Sequence, residues 1–501
     1  MKNQDFNKGL KAYIAGDYSS AFEEWKPIAI KGEPNEKYDI GHLSYDGDVD
    51  PKVFAEAIEW YQLVAEEGDA QLAYTLGLMY YHGKDVPKDY TEAIKWYTYS
   101  ATNGFALAQF NLGSMYFNGD VPKDYTEAIK WYKLAAEQGD DVAQTKLGII
   151  YEAGVGVIKD YAEAIKWYKL AAEQDSVTAQ LNLGLIFEDG KYAPVDFTEA
   201  IKLYKLAAKQ GDAKAQHNLG LMFSNGNVLK NYSEAEKWFL MSAKQGHANA
   251  EYNLGLLYSN VDVLKNHSKA LNWYKLAAKQ GHTRAQNNLA TIYSDGNGVI
   301  QDYAEAIKWY KLSAENGYPK AQYNLGYMFF VGDGVPKNLT EAEKWFRLSA
   351  EQGNDYGQLG LGNIYVLGDG VIQDFIEALK WFQLSANQGN DQALHQLGLM
   401  YYGGHGVLQD YSQSMKFYRL AAEQGNAMAQ YKLGLMYLNG IGVLQDNVLS
   451  HMWLNIASGN GYEKAAKRRD DCAELMTRSD VSKATNMARK CINNNYKNCG
   501  C

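Results

Sequence analysis

Cysteine is missing from the first 471 residues of this 501-residue chain, and all four cysteines, Cys472, Cys491, Cys499 and Cys501, fall within the last 30. A disulfide framework is therefore excluded from the body and confined to the tail, where Cys491 and Cys499 flank a short polar segment and are the candidate pair in an oxidising compartment. Their spacing fits no zinc template. Proline is scarce, at 8 residues, which excludes collagen-like and Pro-rich linker sequences. No apolar run approaches the roughly 18 residues of a spanning helix, so no membrane insertion is expected. Met1 is followed directly by Lys2-Asn3-Gln4-Asp5-Phe6, without an apolar core for export. The chain as written is expected in the cytoplasm, or in the periplasm or outside the cell if a signal was removed before numbering began.

Catalytic signatures are equally sparse. No serine has a lysine three residues later, so the nucleophile and base of a serine β-lactamase are absent. The nine histidines (His42, His82, His217, His247, His267, His282, His395, His405 and His451) are scattered singly, and no metal or other cofactor is expected. Asp46-Gly-Asp48-Val-Asp50 starts like a calcium loop, but the glycine and glutamate wanted at positions six and twelve are Pro51 and Ala57. Gly332-Asp-Gly-Val-Pro336 and Gly368-Asp-Gly-Val371 lack the strand and lysine of a phosphate loop. A net charge of −10 disfavours binding driven by phosphate neutralisation, so no nucleic-acid partner is expected. The segment from Glu463 to Lys497 runs the other way, with nine basic against five acidic residues, and reads as a separate cap.

What the chain has in abundance is itself. Trp25, Trp60, Trp96, Trp131, Trp167, Leu203, Trp238, Trp273, Trp309, Trp345, Trp381, Phe417 and Trp453 recur every 35 or 36 residues, marking thirteen units. A Leu-Gly pair recurs once per unit, ending at Gly77, Gly113, Gly148, Gly184, Gly220, Gly255, Gly326, Gly398 and Gly434, with Ala290 in one copy. Two marks in one period mean two elements. Ala143, Leu147, Gly148 and Tyr151 share one helical face, as do Ala164, Trp167, Tyr168 and Ala171. The second helix opens with Asp160 and Glu163 in capping-box spacing, repeated as Asp89/Glu92, Asp124/Glu127, Asp302/Glu305 and Asp374/Glu377. Glycine closes it in most units, and Asp175 breaks that series. The Trp and Tyr stripe reads as core, and Lys95, Lys130, Lys166 and Lys308 read as a solvated outer face.

These residues resemble the Sel-1-like repeat, a relative of the tetratricopeptide repeat. The pattern Ala-Gln-x-x-Leu-Gly-x-x-Tyr, a Gly-rich loop, then Asp-Tyr-x-Glu-Ala-x-x-Trp-Tyr-x-x-Ala-Ala is nearly intact at 143–174 and 285–317. The resemblance implies an all-α, right-handed α/α superhelical solenoid of about thirteen hairpins, with the first helix of each pair on the concave side. Residues 1–32 are more like an ordinary tetratricopeptide hairpin, 33–460 form the array, and 461–501 form a helical cap. Tyr462 to Met476 and Asp480 to Asn493 are the expected cap helices. Members of the family mostly act as adaptors, so a non-enzymatic scaffold that binds a protein or extended peptide is expected here. A spacer or self-associating scaffold is the alternative. A penicillin-binding or β-lactamase role, described for members with disulfide-bridged repeats, sits poorly with repeats that contain no cysteine.

One polar series stands out: Asn111, Asn182, Asn218, Asn253, Asn288 and Asn324, each directly before the Leu-Gly or Leu-Ala pair. Their amides are the candidate partner-binding residues, since each offers a donor and an acceptor to the main chain of an extended peptide. Tetratricopeptide domains that bind carboxylate-ended peptides use an Asn at the corresponding place.

Overall fold

The computed structural model describes residues 2–29 and 58–497, apart from 60, 64, 67, 84–85, 227–229, 263 and 369–371, and also residue 499. The Asp46 to Asp50 loop and Trp60 lie outside the described residues. Those described are helical hairpins joined by loops, with no strand among them. They fall into two units, residues 1–245 and 246–501.

In the first unit the hairpin Lys2–Ile14 with Tyr18–Ala29 is followed by five pairs: Ala70–His82 with Tyr90–Thr102, Ala106–Asn118 with Tyr125–Glu137, Asp141–Ala153 with Tyr161–Glu173, Val177–Asp189 with Phe197–Lys209, and Ala213–Asn225 with Tyr232–Ala243. The second unit has six: Ala248–Asn260 with His267–Lys279, Thr283–Asp295 with Tyr303–Glu315, Pro319–Val331 with Leu339–Glu351, Asp355–Leu367 with Phe375–Asn387, Asp391–Gly403 with Tyr411–Ala422, and Ala427–Asn439 with Asn447–Gly459. Every described first helix packs on its own second helix, and within each unit, from Ala70 onward in the first, every second helix packs on the next first helix, so each is a solenoid segment.

Local chemistry sets the helix ends. The Asp160 carboxylate accepts from the backbone N–H groups of Ala162 and Glu163, both at 3.0 Å, and Glu163 pairs with Lys166 at 3.2 Å. The lysine ammonium lies 5.1 Å from the centre of the Trp167 ring on the exposed side. The first helix of the same repeat stops where Gly154 turns left-handed at φ 73° and donates to the Ile150 carbonyl. The glycine inside that helix, Gly148, answers a close approach, because a Cβ there would stand 2.5 Å from the Tyr168 ring. Ala290 takes the equivalent place in one repeat, where Tyr310 turns its hydroxyl to Thr291 at 2.9 Å.

Neighbouring repeats are joined by a buried side chain. Gln144 donates from Nε2 to the Ala136 carbonyl at the end of the preceding hairpin, at 2.9 Å, and its Oε1 accepts from Gln174 Nε2 at the end of its own hairpin, also at 2.9 Å. Three helix segments thus meet on one amide. Gln109, Gln180 and Gln216 repeat the arrangement in the first unit, and Gln322, Gln358 and Gln430 in the second. Glu251 substitutes as an acceptor for Gln280 at 2.8 Å. The chain closes with Glu463–Ala473 and Arg478–Asn493, capped by Thr477, so the first cap helix ends three residues before Met476. Ala484, Ala488 and Cys491 cover the apolar face around Trp453. Cys491 and Cys499 are joined by a disulfide, with Cα atoms 5.0 Å apart, and Cys472 is a buried thiol.

Ala73 and Leu394 stand at the glutamine position in two other repeats, and one of the glutamines keeps only half of the relay. Gln286 bonds to the Ala278 carbonyl at 3.1 Å, but its buried Oε1 has no partner, because Asn316 turns its amide back to Leu312 O at 2.8 Å, whereas Asn460, the asparagine at the same place in the last repeat, reaches Gln430 Oε1 at 3.0 Å. Asn316→Gln is expected to stabilise this junction by about 1 kcal/mol, read as several-fold slower amide exchange in Thr283–Asp295 and Tyr303–Glu315. Unchanged or faster exchange would contradict the relay.

Candidate partner-binding face

In most repeats an aromatic residue follows the Trp position, and where it is tyrosine it carries a hydroxyl toward the first helices. Its ring is core, and the hydroxyl of a tyrosine there is buried between one first helix and the next, as Tyr168 is between Glu152 and Asn182. Tyr168 is fully buried, donates to Glu152 at 2.6 Å and accepts from Asn182 Nδ2 at 3.2 Å. Tyr204 repeats the arrangement with Glu188 at 2.7 Å and with Asn218. Burial pushes both phenols above the ordinary tyrosine range, and the accepting carboxylates push the same way. Tyr310, buried against Thr291, is pushed up to about 12. These groups stay protonated at neutral pH and serve as hydrogen-bond donors rather than as acids or bases.

All six asparagines of the sequence series are half-buried on first helices. Asn111 donates to Tyr74 Oη at 3.3 Å, Asn288 bonds to Tyr252 and Tyr274, and Asn324 donates to Asn287 Oδ1 at 3.0 Å. Asn253 also has a partner within the protein. Each amide is thus held in a fixed orientation by its neighbours, and a single such bond uses one of its several hydrogen-bonding capacities. Three of them lie in each unit.

Sequence reasoning missed the groups these amides meet. Glu152 and Glu188 stand four residues after the Leu-Gly glycine, one helical turn along the same face, and that spacing was the available signal. It also missed an aromatic cluster beside Asn324: Tyr323 lies 6.1 Å from Tyr327 and 5.5 Å from Tyr356, ring centre to ring centre, and the last two are 46% and 45% exposed. Exposed tyrosines on a rigid support suit interface anchors, since they bring large contact area at little entropic cost.

Among the described residues no three His, Cys, Asp or Glu side chains converge as a metal site, and no helix is long and apolar enough to cross a membrane. One histidine on a first helix does carry a pH signature. His395 occupies the position that is Leu181 and Leu359 elsewhere, packs 5.6 Å from the Tyr418 ring and has no partner for Nε2. Burial, helped by Lys432 and opposed by Asp391, lowers its pKa to about 4. An unfolded histidine titrates near 6.5, so between those values the unfolded chain binds more protons. Stability is complete above about pH 6.5 and falls as the pH drops toward 4, by about 2 kcal/mol at pH 5 for this group. His395→Leu is expected to remove that part of the difference between denaturation at pH 7.5 and pH 5; an unchanged difference would show that the imidazole is solvated in the native state.

The Sel1 repeat model matches the chain at residues 37–69, 70–105, 106–140, 141–176, 177–212, 213–247, 248–282, 283–318, 319–354, 355–390, 391–426 and 427–462. These twelve matches leave the first hairpin and the cap helices outside. A solved protective antigen of uropathogenic Escherichia coli, which displays an SLR fold, is 33% identical, with 88% of this chain and 96% of that one covered and a TM-score of 0.73. A Sel1 repeat protein from Oxalobacter formigenes is 32% identical over 68% of this chain and 90% of its own, with a TM-score of 0.42. No curated protein matches the chain.

Proposed function

The chain belongs to the Sel1 repeat family, and on that premise we propose that it is a non-enzymatic adaptor that binds a protein or extended peptide along its first helices. The observation that supports this reading is the recurring series of half-buried, fixed amides on those helices, flanked in the second unit by the exposed Tyr327 and Tyr356. Amides serve an extended main chain, which needs a donor and an acceptor at regular intervals. Tyrosines serve apolar side chains of the same ligand. Rigid hairpins hold both sets in place before binding, so little receptor ordering opposes association.

The test compares capture of partners from a lysate of the native host by the intact chain and by a variant with Asn182, Asn218, Asn253, Asn288 and Asn324 replaced by Ala. The expected result is loss of a specific partner by a variant whose helical signal and melting temperature are retained. Capture of the same partner by both forms would remove the amides from the binding surface.

A further inference from the structure

Every described repeat but one places an aromatic ring at the position of the repeated Trp. The exception is Leu203. In the preceding repeat Trp167 is buried in one cluster with Leu147, Ile150 and Tyr151. At Leu203 a cleft of about 480 Å³ opens, floored by Leu183, Phe187, Leu203 and Leu206. Its size lies within the range of small-ligand pockets.

The groups that hold an indole in two repeats of the second unit are present around this cleft without the ring, although the neighbouring Trp167 and Trp238 leave their N–H unpaired. Trp309 Nε1 donates to Glu305 and Trp381 Nε1 to Glu377, at 3.1 and 3.0 Å, each time to the glutamate four residues earlier. The equivalent Glu199 lines the cleft, held by Lys202 at 3.0 Å. Where a lysine precedes the Trp in the described repeats it lies over the ring, as Lys308 over Trp309 at 5.6 Å and Lys380 over Trp381 at 5.5 Å. The equivalent Lys202 lines the cleft. A second departure from the repeat meets the first at the rim: Asp175, left-handed at φ 65° where other repeats have glycine, lines the same opening, with Lys169. The glutamine joints on either side, Gln144 with Gln174 and Gln180 with Gln210, fix the spacing of the helices that form the walls.

We propose that this cleft takes the indole side chain of a tryptophan presented by a partner polypeptide, in place of the ring that its own repeat lacks. The apolar floor receives the six-membered face, Glu199 accepts the indole N–H, and Lys202 lies over the ring. The cleft is larger than the ring alone, and the ammonium of Lys169 and the carboxylate of Asp175 at the rim offer a donor and an acceptor to the peptide groups on either side of the tryptophan. The site is formed mainly by second helices, so it stands independently of the row of asparagines.

The test uses N-acetyl-5-fluorotryptophan amide, a blocked residue with a fluorine reporter, titrated against the full chain by fluorine NMR. Selective line broadening with a dissociation constant on the order of 1 mM is expected, with N-acetylphenylalanine amide, which has no ring N–H, a weaker competitor by about threefold or more. Leu203→Trp is expected to abolish the broadening, at least about tenfold in affinity, without lowering the melting temperature. Should that variant melt lower, Leu206→Arg, at a half-buried wall position, is the deciding variant and is expected to show the same loss. No broadening at millimolar ligand, or equal broadening by the intact chain and the filled variants, would overturn the proposal. Tighter binding of free indole than of the blocked residue would overturn the polypeptide as its source.

Discussion

A buried amide at the junction of three helix segments is the constraint on which this structure depends. A helix hairpin of this length cannot bury its own apolar face, so each repeat is stable only when stacked on its neighbours. Apolar packing alone supplies affinity between hairpins but little register, because alanine and leucine surfaces slide at small cost. Gln144 and its counterparts add a polar condition that only one register satisfies: the donor must find the carbonyl of the preceding hairpin while the acceptor meets the glutamine of its own. Missing that register leaves buried polar atoms unpaired, at about 1–3 kcal/mol each.

Fixed register is what turns a stack of hairpins into a recognition surface. With repeats locked, buried tyrosine hydroxyls come to the same place in successive repeats and hold asparagines of the next first helix, as in Tyr168 with Asn182 and Tyr204 with Asn218. The same regularity makes departures consequential. Where Leu203 stands for an aromatic residue the neighbours do not collapse inward, and the space stays open. Where Asn316 turns its amide to its own helix, the acceptor on Gln286 goes unused. A repeat protein acquires individuality through such single-copy changes, since everything else is averaged over the array.

Much of the fold was legible because each signal was written many times. Helix starts followed from Asp and Glu at capping spacing, helix ends from glycine, and the core from the Trp and Tyr stripe, and these physical causes act locally. The cap helices were legible only to within a few residues, because Thr477 as an N-cap has no repeat partner to reveal it. The face was half legible. Asparagine before Leu-Gly was visible as a series, but its tyrosine partners Tyr168 and Tyr74 come from helices 14 and 37 residues away, and single-sequence spacing does not encode such meetings. Gln109 and Gln144 were visible as part of a motif, whereas their pairing with Gln138 and Gln174 depends on where two helix ends converge.

The most direct test of this account is a double-mutant cycle at one joint, with Gln144→Leu, Gln174→Ala and both together, followed by chemical denaturation of the full chain and amide exchange across Asp141–Glu173. If the relay sets the register, the two substitutions are coupled by about 1 kcal/mol or more, with the pair costing less than the sum of its parts. Additivity within about 0.3 kcal/mol would mean that the two amides act separately, and that apolar packing alone holds the repeats in place.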